Sequence, residues 1–154
     1  MTHSITAPLL TRIDHVGIAC RDLDASVSFY ETTFGLTVAS VEANEEQGVR
    51  EAMLVVDAPE GADPALGGGS YVQLLEPLRD DSPVGRFLAS RGEGVHHIGY
   101  GVVDVAAALA DLEEQGIKLV DRQPRHGSLG ASIAFLHPKS LGGVLTELVQ
   151  AAAR

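Results

Sequence analysis

The 154-residue chain is poor in cysteine, aromatics and positive charge, and each shortage excludes something. Its one cysteine, Cys20, cannot close an internal disulfide, so a reducing cytoplasm is the expected home. Tryptophan is absent, aromatics are 5% of residues, and 11 Lys and Arg face 21 Asp and Glu, for a net charge of −10. An acidic chain with few stacking rings and no basic stripe points away from a nucleic-acid partner. No apolar stretch approaches the ~18 residues of a membrane span. Residues 1–12 lack the basic head and apolar run of a secretory signal, so no membrane or export role is expected.

What is present suits one soluble domain over 1–154. Hydrophobic residues make up 45% of the chain, and a chain of this length buries about 68–70% of its unfolded surface, enough to fold without staples. Charge is uneven: residues 1–77 hold three basic and twelve acidic side chains, residues 78–154 eight and nine. An anionic ligand should therefore lean on the second half, where Lys118, Arg122, Arg125 and Lys139 stand, unless these are ordinary solvated surface.

The most informative feature is an internal repeat. Asp14-His15-Val16-Gly17-Ile18 matches His96-His97-Ile98-Gly99-Tyr100 at an offset of 82. In the same register Asp22 falls on Asp104 and Ala25 on Ala107, and Leu23, Val27 and Tyr30 match Val105, Leu109 and Leu112. Both triplets sit at i, i+4, i+7, the spacing of one buried helix face. Asp22 and Asp104 are placed to cap the first turns, and Gly35 and Gly116 to close the last ones.

Alternating apolar and polar residues predict strands at 36–43 and 48–57, followed by Tyr71–Leu75. Stretches 117–121, 131–137 and 143–150 play the same parts in the second half. Ser82-Pro83 opens a short helix that Gly92 closes, and Asp57 to Ser70, with Gly67-Gly68-Gly69, reads as a loop. The expected fold is α+β: two βαβββ modules, approximately 11–77 and 94–150, joined by a linker helix at approximately 82–92. Together they form a mixed eight-stranded sheet curved around a shared cleft.

Each first strand carries a histidine among apolar neighbours, His15 and His97, and each last strand a polar residue, Gln73 and Glu147. One such residue alone is usually a satisfied core group. Four at equivalent positions of a repeat converge near one axis, where burial is costly unless something binds them. A divalent cation satisfies two imidazoles, an amide oxygen and a carboxylate together, and still leaves positions for water or a bidentate substrate.

These residues carry a resemblance. The paired modules with His15, Gln73, His97 and Glu147 resemble the vicinal oxygen chelate superfamily, which includes glyoxalase I and certain extradiol dioxygenases. Within it, the chain is closely similar to the methylmalonyl-CoA epimerase family. The matching stretches are Ile13–Val16, Asn44–Glu51, Gly94–Ile98, His137–Ser140 and Gly143–Leu148, which span nearly the whole chain.

The resemblance implies one divalent metal on His15, Gln73, His97 and Glu147, with Co2+ favoured and Mn2+, Ni2+ or Zn2+ open. His97 is preferred to His96 because it occupies the position of His15. The resemblance also implies an acyl-CoA thioester substrate, a homodimer, and catalytic roles for Glu51 and Glu147 in epimerising methylmalonyl-CoA through a metal-stabilised enolate. Whether Glu147 acts through a free oxygen or a metal-bound water carries its proton stays open. Lys139 and Ser140 are candidate contacts for a substrate carboxylate or CoA phosphate, or simply a turn after Pro138. Tyr100 and Phe135 are expected in the cleft wall, Cys20 on a buried strand, and His3 in a frayed terminus without a role. The alternatives are a glyoxalase I-like lyase, against which Gln73 and Glu51 argue, and a metal-free small-molecule-binding protein of the same fold.

Overall fold

The computed structural model describes residues 8–57 and 70–153. Two central strands set the frame. β1 (Arg12–Ala19) and β5 (Gly94–Gly101) run antiparallel, so the halves of the repeat meet along one seam. β1 pairs in parallel with β4 (Ser70–Pro77), and β5 with β8 (Thr146–Gln150). Beyond β4 lie β3 (Val49–Asp57) and β2 (Thr37–Asn44); beyond β8 lie β7 (Ser132–Leu136) and the two-residue β6 (Arg125–His126). The order β2-β3-β4-β1-β5-β8-β7-β6 makes one mixed eight-stranded sheet, with each half repeating the connectivity of the other.

The helices form where the repeat places them. Asp22 accepts from the Ala25 N–H at 3.0 Å and Asp104 from the Ala107 N–H at 3.0 Å, opening α1 (Leu23–Phe34) and α3 (Val105–Glu114). Such caps stabilise a helix by about 1 kcal/mol. α1 packs Leu23, Val27 and Tyr30 on Ala52, Leu54 and Leu74. α3 packs Val105, Ala108 and Leu109 on Ala134, Leu136 and Leu148. Gly35, at φ 70°, closes α1. α3 ends at Glu114 with Gln115 as its cap, and Gly116, at φ 85°, supplies the left-handed residue one position later. α2 (Pro83–Arg91) starts at Ser82, whose Oγ accepts from the Gly85 N–H at 3.1 Å, and ends at Gly92. With α1 and α3 packed on one face of the sheet, the opposite face is left to line a cavity.

Three sequence expectations are corrected. Stretch 117–121 forms no ladder strand, only an isolated bridge between Leu119 and Leu136. The N–H groups of Val120 and Asp121 both donate to the Phe135 carbonyl, while the Asp121 carboxylate takes the Phe135 N–H at 2.9 Å. A side chain thus replaces a backbone acceptor, and the pairing strand is displaced to Arg125–His126, beyond Pro124. β8 starts at Thr146 rather than 143, because Gly142 and Gly143 turn the chain with positive φ. Cys20 is buried but lies just past β1, its N–H donating to the Leu75 carbonyl at 2.8 Å. Of the loop expected from Asp57 to Ser70, Asp57 instead ends β3 and Ser70 opens β4, while 58–69, with the three glycines, and His3 lie outside the described residues. No described helix is long and apolar enough to cross a membrane.

Candidate metal centre and active site

Strand alternation aims His15, Gln73, His97 and Glu147 at one point, from β1, β4, β5 and β8. All four are buried at 3–4% exposure. His15 Nε2 stands 3.0 Å from His97 Nε2 and 2.9 Å from Glu147 Oε1, and His97 Nε2 is 3.8 Å from that oxygen. Among the described residues, His15, His97 and Glu147 bring ligand atoms within 4.8 Å of one another. The two rings meet edge to face with centroids 5.1 Å apart.

Glycines make the convergence possible. In β1–β5 pairing, His15 faces Gly99 and His97 faces Gly17. A Cβ on Gly99 would stand 2.2 Å from His15 Cε1, and one on Gly17 the same distance from His97 Cε1. Each imidazole therefore lies in the space that any side chain on the neighbouring strand would fill. The register also slips twice along this seam, skipping Asp14 on β1 and His96 on β5. These bulges bend the strands next to each histidine.

Gln73 supplies the test of whether a cation belongs here. Its Nε2 donates to Glu51 Oε2 at 2.9 Å and to Ser128 Oγ at 3.3 Å, but its Oε1 is buried with no hydrogen-bond partner. An orphaned buried acceptor costs about 1–3 kcal/mol. The amide orientation is fixed by its donors, so the free oxygen is the atom a cation would take. One amide oxygen, two imidazoles and one carboxylate form a donor set fitted to a divalent ion. Together with the grouping of His15, His97 and Glu147, this donor set suggests a divalent metal site.

Buried charge sets the protonation states. Burial alone would depress His15, but Glu147 and Asp14 on either side outweigh it and push its pKa up to about 10. His97 goes the other way, held well below its ordinary value by burial and by the neighbouring His15 and His96. Asp14 is raised by burial but lowered more by the His15 hydrogen bond and the Arg12 guanidinium, whose Nη2 donates at 2.7 Å. Glu51, 4% exposed, is raised to about 7 by burial, with Ser128 pulling it down and the Glu147 and Glu42 charges adding to the rise. A carboxylate poised near neutral pH inside a cleft can both accept and return a proton.

A cavity of about 40 Å³ lies between His15, Gln73, Glu147, Glu51 and Ser128, lined further by Arg12, Met53 and Leu129. Gln47 lines both this cavity and a second one of about 290 Å³, largely apolar, between Val84, Leu145, Phe135 and the far side of His97.

The structure brings together His15, Gln73, His97, Glu147 and Glu51. It does not bring Lys139 or Ser140 to either of these cavities. They form a turn of 3₁₀ helix after Pro138, with Ser140 Oγ accepting from the Lys118 N–H at 2.9 Å. Phe135 stands in the cleft wall as expected, 5.3 Å from the His97 ring. Tyr100 does not: three residues along from His97, it has the opposite parity and faces Leu112, Leu136 and Leu148 on the helix side. Of the basic residues, Arg125 reaches the second cavity but is paired with Glu46 at 2.8 Å and Asp121 at 3.3 Å, and Arg122 pairs with Glu113 at 3.1 Å.

Sequence reasoning missed Ser128, which donates to Glu51 Oε1 in a very short contact. It sits in a turn beside Leu129, a non-glycine residue at φ 57°, in a stretch without periodicity. Asp14 and His96 were also missed as partners of the two histidines. The signal was available, because they occupy equivalent places in the repeat.

Residues 14–135 match the family described as the Glyoxalase/Bleomycin resistance protein/Dioxygenase superfamily. A solved structure of a methylmalonyl-CoA epimerase in complex with methylmalonyl-CoA and NH4+ is 57% identical with a TM-score of 0.86, over 94% of this chain and 96% of that one. A variant of the Streptomyces coelicolor methylmalonyl-CoA epimerase, in complex with 2-nitronate-propionyl-CoA, is 56% identical with a TM-score of 0.86, over 94% and 99%. The mitochondrial methylmalonyl-CoA epimerase of Mus musculus is 35% identical over 143 residues, 92% of this chain and 74% of its own length. The chain thus belongs to the glyoxalase/bleomycin resistance/dioxygenase superfamily and, within it, to the methylmalonyl-CoA epimerase family.

Proposed function

We propose that the chain epimerises methylmalonyl-CoA in a cation-dependent reaction, moving the proton at C2 from one face of the carbon to the other. The observation that carries this reading is the second buried carboxylate. Beside a four-donor centre stands Glu51, not part of the donor set, raised to about 7 and held by Gln73 and Ser128. A centre that only bound a ligand would have no use for a carboxyl group kept titratable near neutrality.

His15, Gln73, His97 and Glu147 are the residues to hold the ion, with cobalt the first candidate. When bound, it would supply a Lewis acid that polarises the thioester carbonyl and steadies the enolate charge. The chain's own residues do the rest. Glu51 takes or returns the C2 proton on its side, and Glu147 is the group for the other side, with the roles exchanged in the reverse direction. Each positioned group contributes about 10²–10⁴-fold. Gln73 links the parts: its oxygen is free for the ion while its amide N–H fixes Glu51. The 40 Å³ cavity is bordered by Glu51, Ser128 and Glu147, so an acyl group entering it would have its reacting atoms held beside both carboxylates.

A glyoxalase I-like lyase would need the same sink for charge but a different substrate. Cobalt-loaded protein offered methylmalonyl-CoA, with an enzyme that consumes a single epimer following the reaction, should interconvert the epimers. The hemithioacetal of glutathione and methylglyoxal should be left unchanged. The opposite pattern would overturn the assignment, and turnover of neither by metal-loaded protein would favour a binding protein of the same fold.

A further inference from the structure

The two histidines of the centre are held from behind by different groups, although the modules that carry them repeat. His15 Nδ1 meets Asp14 Oδ2 at 2.8 Å, and His97 Nδ1 meets His96 Nδ1 at 2.9 Å. Asp14 and His96 are equivalent under the offset of 82, and each is the residue skipped at a register slip of the β1–β5 seam. A regular strand would send these side chains to the far face. The bulge swings each one round to the back of the histidine that follows it.

We infer that His96 is a positioning residue: its Nδ1 accepts the Nδ1 proton of His97, which leaves His97 Nε2 unprotonated and aimed at the cation. The inference rests on the metal reading given above. A neutral imidazole carries one proton, and whichever nitrogen holds it cannot bind a metal. His97 is buried, with Gly17 beneath its ring and Phe135 against its edge, so its Nδ1 stays turned to His96 and its Nε2 to the centre. The Nδ1–Nδ1 bond therefore chooses the tautomer. If the proton lay on His96 Nδ1 instead, His97 would carry its own on Nε2 and face the centre as a donor. The same bond is made twice, by a carboxylate that can only accept and by an imidazole that can do either. Asp14 fixes His15 by charge; His96 fixes His97 without adding a charge to a site that already holds Glu147 and Glu51. Edge contact with Phe87, at 5.1 Å between centroids, keeps the His96 ring in place.

The test compares His96→Phe, which keeps the ring and loses the nitrogen, with His96→Asn, whose side-chain oxygen can stand in for Nδ1. Cobalt is titrated into chelator-stripped protein and followed by its visible absorption, with the thermal midpoint in chelator as the control for folding. His96→Phe should bind cobalt about 10–100-fold more weakly at an unchanged midpoint, and His96→Asn should keep near-parental affinity. A readout without metal is the nitrogen chemical shift of His97 in the chelated protein, which should report the proton on Nδ1 in the parent and lose that preference in His96→Phe. Parental cobalt affinity in His96→Phe, or equal losses in both variants, would overturn the role of His96. Absence of cobalt binding by the unsubstituted protein would instead overturn the metal reading beneath it.

Discussion

The imidazole of His97 lies where a side chain on Gly17 would have to be: a Cβ there would stand 2.2 Å from His97 Cε1, well inside contact distance. Gly99 stands in the same relation to His15. Neither glycine has the positive φ that would require glycine for the backbone, so space alone requires it here. Gly17→Ala should therefore push the His97 ring out of register. Overpacking of this kind costs about 1–3 kcal/mol, and a ligand displaced by a fraction of an ångström weakens the centre further. Equilibrium unfolding in chelator and cobalt titration should both register the change. Unaltered cobalt affinity in Gly17→Ala would show that the ring is free to move.

Glu51 should trade stability for chemistry. Its folded pKa of about 7 lies above the ordinary 4.5, the sign of a carboxyl group whose charge is penalised by folding. Below about pH 4.5 it is protonated in both states and costs nothing. As pH rises, the unfolded chain ionises first, and stability falls until the folded group ionises near 7; the loss then levels off at about 3 kcal/mol. In chelator at pH 8, Glu51→Gln should be the more stable protein by up to that amount. It should also lose about 10²–10⁴-fold in epimerisation. Unchanged turnover would remove Glu51 from the mechanism.

Cation binding should release a proton. His15, raised to about 10 between Glu147 and Asp14, is an imidazolium at neutral pH in the metal-free protein, and a cation must displace the Nε2 proton to bind. Apparent cobalt affinity should climb about tenfold per pH unit from pH 7 to 9, with roughly one proton released per ion in weak buffer. An affinity flat across that range would place His15 outside the ligand set.

Much of this was legible because a repeat doubles every signal. One inward histidine is ambiguous, but His15 and His97 at an offset of 82, with Gln73 and Glu147 at matching last-strand positions, converge in the folded chain as their spacing implied. The expected helices and their caps formed for a local reason, since Asp22, Ser82 and Asp104 act within three residues of themselves. The misses came from contacts that periodicity does not encode. At 117–121 the Asp121 carboxylate captures the Phe135 N–H and ends a ladder that alternation predicted. Ser128 reaches Glu51 across 77 positions from an irregular turn. Asp14 and His96 do their work from bulges, where the pairing slips and the face of a side chain cannot be counted from its neighbours.

Proton transfer at C2 of methylmalonyl-CoA should carry deuterium onto that carbon in heavy water. Metal-loaded protein should exchange the C2 hydrogen far above the uncatalysed rate. A strong chelator should abolish the exchange and added divalent metal restore it. Folded, metal-loaded protein that leaves the C2 hydrogen in place would contradict the account.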